Sequence, residues 1–187
     1  MYDEKIMPSV NLYNAYFGGG MNAIVFQEMR EKRGLAYSAN ARYNAPGKPD
    51  EHFRNTSFIA TQNDKVVDAL NAFNELFNEM PVSENAFNLA KEALITDIET
   101  NRISNMNIIW SYIAAKRMGR NYDFRKMMYE KVPSMTMQDV LKFNDTYIKN
   151  QPKTYVILGN EKLLDFETIE KNFGKITRLQ PETYFGY

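Results

Sequence analysis

The chain has 187 residues, enough for one sizeable core, since a domain of about 150 residues buries roughly two-thirds of the surface its unfolded chain exposes. Hydrophobic residues make up 44% and charged residues 25%, an ordinary globular composition that excludes disordered and fibrous classes. Lys plus Arg equal Asp plus Glu at 23 each, so no net field draws the chain to nucleic acid or an anionic membrane, and the absence of cysteine excludes disulfides, thiolate metal sites and thiol nucleophiles.

Residues from about Asp3 to Phe17 carry apolar side chains at helical spacing and predict a first helix, stopped at Gly18-Gly19-Gly20, where glycine accepts the positive φ of a C-cap. A second helix is expected from near Met21, with Ile24, Val25 and Met29 as its stripe. Arg30, Lys32 and Arg33 form a basic last turn before Gly34, as the macrodipole favours. Leu35, Tyr37, Ala39, Ala41 and Tyr43 then alternate with more polar neighbours, the period of a half-buried strand. The turn formers from Asn44 to Asp50 and the run from Phe53 to Thr61 complete a long antiparallel hairpin.

Val66, Leu70, Phe73, Leu76 and Phe77 form a strong helical stripe, capped by Asn63 or Asp64 and ended by Pro81. Ser83 is the expected N-cap of a long helix reaching about Ser104, and Asn105 to Met118 and Tyr122 to Val132 read as further helical pieces. Thr136 with Asp139 three residues later has the form of a capping box, so another helix follows. Thr154 to Gly159 is a short apolar run that reads as a central strand. A helix follows from about Leu163 to Asn172, stopped by Gly174, then a last strand at Lys175 to Leu179 and an irregular tail from Gln180 to Tyr187. Strands early, a helical block in the middle and a strand-helix-strand ending predict one α+β domain over 1–187, a mainly antiparallel sheet with helices on one face.

No run reaches the roughly 18 apolar residues of a membrane-spanning helix, and the N-terminal Met1 to Lys5 lacks the basic-then-apolar order of a signal peptide. Compartment stays open between cytoplasm and periplasm. A zinc hydrolase needs about three His, Cys, Asp or Glu ligands and an open position for water. His52 is the only histidine, and neither H-E-x-x-H nor H-x-x-E-H occurs, so no metal site is expected in this chain and His52 reads as a loop or strand-start residue. The triple glycine follows no strand and precedes no G-K-[ST], so it reads as punctuation between helices and not as a phosphate cradle. Taken on spacing alone, the charges from Glu28 to Arg33 are a solvated helix face and Tyr37 is a sheet residue.

The continuous stretch from Tyr16-Phe17-Gly18-Gly19-Gly20 through Phe26-Gln27-Glu28-Met29-Arg30 to Arg33-Gly34-Leu35-Ala36-Tyr37-Ser38 closely resembles a signature of insulinase/pitrilysin-type zinc peptidases, including mitochondrial processing peptidase relatives. A weaker likeness extends through Thr61 to Val66 and the run Val156 to Gly159. The resemblance implies one of about four α+β units that form a two-halved clamshell. The zinc and general base sit on a unit carrying H-x-x-E-H, and an Arg and a Tyr seven residues apart come from the opposite half.

Arg30 and Tyr37 match that pair, which implies catalytic and substrate-binding roles: Tyr37 as transition-state donor, Arg30 as the residue that orients peptide. Family units open with a strand before the first helix, so the resemblance further implies a C-terminal unit lacking its first strand. It would belong to a larger multidomain peptidase and be inactive alone, with zinc on another domain and none in this chain. The expected partners are a peptide substrate and an N-terminal zinc-bearing domain or subunit. The competing expectations are a non-catalytic scaffold or peptide-binding partner subunit, and an unrelated α+β interaction module whose helix imitates the motif.

Overall fold

The computed structural model describes residues 1–104, 106–180, 182 and 186. The first helix forms as its apolar spacing dictates. Asp3 caps a 3₁₀ turn, Glu4–Ile6, by accepting from the Lys5 N–H at 2.9 Å, and α1 (Met7–Tyr13) follows with Pro8 in its first turn, where the missing N–H costs nothing. A wider π-type turn, Asn14–Gly18, continues it. Val10, Leu12, Tyr13, Tyr16 and Phe17 are buried along this stretch and make it the hub of the core.

Gly18 has a different task from the one its sequence context suggests. None of the three consecutive glycines has positive φ. A Cβ on Gly18 would meet the backbone oxygen of Ala41 at 1.8 Å and its nitrogen at 2.9 Å, so glycine lets the helix end lie directly on a strand backbone. Beside it, Asn14 Nδ2 donates to the Tyr43 carbonyl at 3.0 Å while Asn14 Oδ1 accepts from the Tyr43 N–H at 2.8 Å. A side-chain amide thus occupies the strand edge as a neighbouring strand would.

That strand is β1 (Ser38–Asn44), paired antiparallel with β2 (Arg54–Ala60) in the register Ser38 to Ala60, Ala41 to Ser57 and Asn44 to Arg54. Alternation sends Ala39, Ala41 and Tyr43 toward the helices and Ser38, Asn40, Arg42 and Asn44 outward, so the sheet has one covered and one open face. α2 (Ile24–Phe26) and its π-type continuation Gln27–Lys32 pack on the covered face through Val25 and Met29. The remaining helices are α3 (Val66–Asn78), α4 (Glu84–Thr100), α5 (Met106–Arg117), α6 (Phe124–Lys131), α7 (Met137–Tyr147) and α8 (Phe166–Phe173), of which α5 buries none of its described side chains. Rings bind these layers: Tyr13 lies 5.1 Å from both Phe17 and Phe143, and Phe143 lies 5.2 Å from Tyr43. The Tyr16 hydroxyl donates to the Pro81 carbonyl at 2.6 Å and accepts from the Ser83 N–H at 3.0 Å, fixing the α3–α4 connection.

The α+β class, the antiparallel hairpin and the one-sided helical layer agree with the sequence expectation, as do the Ser83 cap and the Thr136/Asp139 capping box. Other expectations are corrected. The run Thr154 to Gly159 is not a central strand, because a strand requires a ladder partner and the sheet of the described residues is β1-β2 alone. The run is held by side chains instead: the Tyr155 hydroxyl donates to Asn74 Oδ1 at 2.9 Å, and Asn63 Oδ1 accepts from the Asn160 N–H at 2.9 Å. Lys175 to Leu179 is likewise no strand.

Asn63, engaged with Asn160, does not cap α3, and neither does Asp64; Lys65 stands at the cap position with no side-chain bond. α3 stops at Asn78, before Pro81, and α4 stops at Thr100. The expected tail from Gln180 to Tyr187 falls mostly outside the described residues, as does Asn105, the expected start of α5.

Candidate functional site

Arg30 reaches its position through the end of the second helix. From Gln27 to Lys32 the winding widens, and the Arg33 N–H donates to the Glu28 carbonyl at 3.2 Å, the i→i+5 pattern of a π turn. Gly34, at φ 58°, then reverses the chain, which glycine does without a Cβ clash, and the Leu35 N–H closes the end on the Met29 carbonyl at 2.9 Å. Three residues later β1 begins. The turn is braced from both sides: Lys32 pairs with the buried Glu28, and Arg33 makes a two-pronged contact with Glu75 of α3 at 2.8 Å per prong. That contact raises the guanidinium pKa of Arg33 and holds the Glu75 carboxyl below its ordinary value.

Within this frame Arg30 and Tyr37 come together. The Arg30 guanidinium carbon lies 5.6 Å from the centre of the Tyr37 ring and 4.9 Å from that of Phe26, so the cation is held between two aromatic faces. Among the described residues its one ion-pair partner is the adjacent Glu31, at 3.7 Å. Tyr37 is 84% exposed and its N–H donates to the Ala60 carbonyl at 3.2 Å, so the residue is fixed at the mouth of the hairpin while its ring stays open to solvent. Sequence alternation places Tyr37 inside the strand; the strand starts one residue later, at Ser38. Phe26 escaped notice as a partner of Arg30, although the i,i+4 spacing of an aromatic and a cation on one helix was a readable signal.

An exposed phenol and a half-exposed guanidinium side by side can donate several hydrogen bonds to a carbonyl oxygen or a carboxylate and can accept little. His52 lies elsewhere, in the connection two residues before β2, where its Nδ1 is 2.8 Å from the amino group of Met1. Among the described residues no group of three or more His, Cys, Asp or Glu side chains could hold a metal ion, so the donor set of a zinc centre does not fit this chain's described part. No helix of the described residues is long and apolar enough to cross a membrane.

The family profile described as peptidase M16 inactive domain matches residues 2–94, the segment holding α1 through α4's first turns and the whole Arg30/Tyr37 site. Among solved structures the chain is similar to the crystal structure of a peptidase M16 inactive domain from Pseudomonas fluorescens, with a TM-score of 0.62 at 19% identity, over 75% of this chain and 34% of that one. At that identity the likeness shows a shared fold, and this chain spans about a third of the length of its structural relative. No curated protein matches the chain.

Proposed function

Since the chain, through its matched residues 2–94, belongs to the peptidase M16 inactive-domain family as an insulinase-type C-terminal domain, we propose that it is the substrate-binding and transition-state-stabilising domain of a zinc metalloendopeptidase that cleaves unfolded peptides. The observation that carries this reading is the Arg30/Tyr37 pair, seven residues apart in sequence and 5.6 Å apart in space on an open surface.

Peptide hydrolysis develops negative charge on the carbonyl oxygen, and a phenol donor aimed at that oxygen stabilises the transition state more than the ground state. Tyr37, whose hydroxyl has no hydrogen-bond partner among the described residues, is free to make that donation. Arg30, held by Phe26, offers its fork to the peptide backbone or a terminal carboxylate. Among the described residues no ligand set is present, so zinc, general base and attacking water belong in this proposal to an N-terminal domain or partner subunit, and 1–187 would be one unit of the larger assembly.

The test uses the 187-residue chain and a fluorescein-labelled unfolded peptide. We expect no hydrolysis and no stoichiometric zinc after dialysis, together with peptide binding that Arg30→Ala weakens by about tenfold, the scale of one or two charge-assisted hydrogen bonds. One tightly held zinc per chain with chelator-sensitive hydrolysis would sink the division of labour. Equal binding by wild type and Arg30→Ala would remove Arg30 from the site. The family description as an inactive domain favours a second reading, a peptide-binding partner with no share in the chemistry. The two readings part at Tyr37→Phe, which lowers turnover of the assembled enzyme only under the first.

A further inference from the structure

We propose that α5 is the interface of a two-fold dimer, in which it pairs antiparallel with α5 of a second copy of this chain. The claim stands apart from the Arg30/Tyr37 reading and shares no residue with it.

α5 buries none of its side chains, yet its sequence is that of a buried helix. Met106, Ile108, Ile109, Trp110, Tyr112 and Ile113 are all exposed, Trp110 at 63%, and no residue from Met106 to Ala115 is charged. A surface helix carries one apolar stripe and a charged face, whereas a helix that is apolar on most sides belongs inside a larger packed structure. This helix is also held in place. Before it, the Arg125 guanidinium donates to the Asn101 carbonyl at 2.8 Å; after it, Arg120 pairs with Glu4 at 3.2 Å and donates to the Tyr2 hydroxyl at 3.1 Å. The fold thus fixes both ends of a helix whose apolar surface it leaves uncovered.

That surface suits a second copy. Met106, Ile109, Trp110 and Ile113 have the i, i+3, i+4, i+7 spacing of a helix-pairing seam, and Ile108 and Tyr112 widen it on one flank. Together the six residues expose roughly 700 Å², close to the about 800 Å² that each partner gives to a stable interface of standard size. An antiparallel pair is isologous and closes on itself, and it sets the two helix dipoles in opposition. It also carries Lys116 and Arg117, the only charges of α5, to opposite ends of the contact, where they stay in water. With 23 basic and 23 acidic residues the chain has no net charge to hold two copies apart. Lipid fits less well: a 12-residue helix is too short to span a bilayer, and the polar side of α5, Asn107 and Ser111, lacks the lysines and arginines by which an interfacial helix holds anionic headgroups.

Trp110 is the only tryptophan of the chain, so its fluorescence reports the contact directly. The test is sedimentation velocity and tryptophan emission of the 187-residue chain over a concentration series reaching about 100 µM, with and without vesicles of phosphatidylcholine and phosphatidylglycerol. We expect a reversible dimer with a dissociation constant of about 1–10 µM, an emission maximum that moves to shorter wavelength as the dimer forms, and no change on adding vesicles. Ile109→Glu, which keeps the tryptophan, should weaken the dimer by about 100-fold, because it buries a charge without a partner. Its circular dichroism at low concentration should match that of the wild type, since α5 buries no side chain within one copy. Leu158→Glu, a charge placed on another exposed apolar segment, should leave the dimer intact. A wild-type chain that stays monomeric throughout the series would overturn the proposal in favour of a separate domain as the cover. Vesicle binding with an emission shift would overturn it in favour of lipid. A dimer that survives Ile109→Glu, or one that Leu158→Glu breaks, would overturn it by placing the interface elsewhere.

Discussion

Gly18→Ala should be the most damaging small substitution in this chain, although it exchanges glycine for the best helix former at the end of a helical segment. The added methyl would stand 1.8 Å from the Ala41 carbonyl oxygen, and that neighbour is strand backbone rather than a flexible side chain. Ordinary van der Waals contact requires the helix end and β1 to separate by about 1.5 Å, and overpacking of this kind costs about 1–3 kcal/mol. The separation also stretches the two bonds between Asn14 and Tyr43, at 3.0 and 2.8 Å, each contributing roughly 0.5–1.5 kcal/mol. Better helix propensity returns at most about 1 kcal/mol. The net loss is therefore about 2–4 kcal/mol, a fall in Tm of roughly 5–15 °C for a chain of this size.

Gly20→Ala is the internal control, because a Cβ there meets nothing within 4 Å and its φ is not positive. That change should be neutral or stabilising by up to about 1 kcal/mol. Urea unfolding followed by far-ultraviolet circular dichroism, with Cm compared at constant m, measures both variants. Equal midpoints for the two would refute the close-approach account of Gly18.

Asp139→Asn should cost about 1 kcal/mol by weakening the capping box of α7, in which the Asp139 carboxylate accepts from the Thr136 N–H at 2.7 Å and its hydroxyl at 2.9 Å. Those bonds hold the Asp139 carboxyl below its ordinary value, so its contribution is complete above the unfolded value near about pH 3.9 and is lost as pH falls through the lower folded value. The wild type should lose that increment on acid titration and Asp139→Asn should not. Glu75→Gln should cost no more than about 1 kcal/mol and less at high salt, since the Arg33 contact is largely exposed; double-mutant unfolding with Arg33→Gln measures it. Tyr37→Phe should leave Cm unchanged, because its ring is 84% exposed.

What could be read before the structure was whatever depends on local pattern. The apolar spacing of α1 and α3, the cap at Ser83 and the box at Thr136 and Asp139 are decided within a few residues, and they stand as read. The hairpin was legible because turn formers separate two alternating runs. Thr154 to Gly159 was misread because an apolar, β-rich run records only a preference, while a strand exists through a partner that the run itself does not encode. Gly18 was misread for the same reason: its contact is with Ala41, twenty-three positions away, and a glycine kept for space looks identical to one kept for positive φ.

At the site, the placement of Arg30 in a last helical turn followed from the basic residues before Gly34. Its meeting with Tyr37 depends on the reversal at Gly34 and could not be drawn from spacing alone.

The central claim, that Tyr37 faces the reacting peptide bond, is tested most directly by steady-state kinetics of Tyr37→Phe in the proposed zinc-loaded assembly of this chain with a metal-bearing domain. Loss of one oxyanion donor predicts that kcat and kcat/KM fall together by about 100- to 1,000-fold, with KM, zinc content and unfolding midpoint unchanged. A folded, zinc-loaded Tyr37→Phe enzyme with wild-type kcat and KM would contradict it.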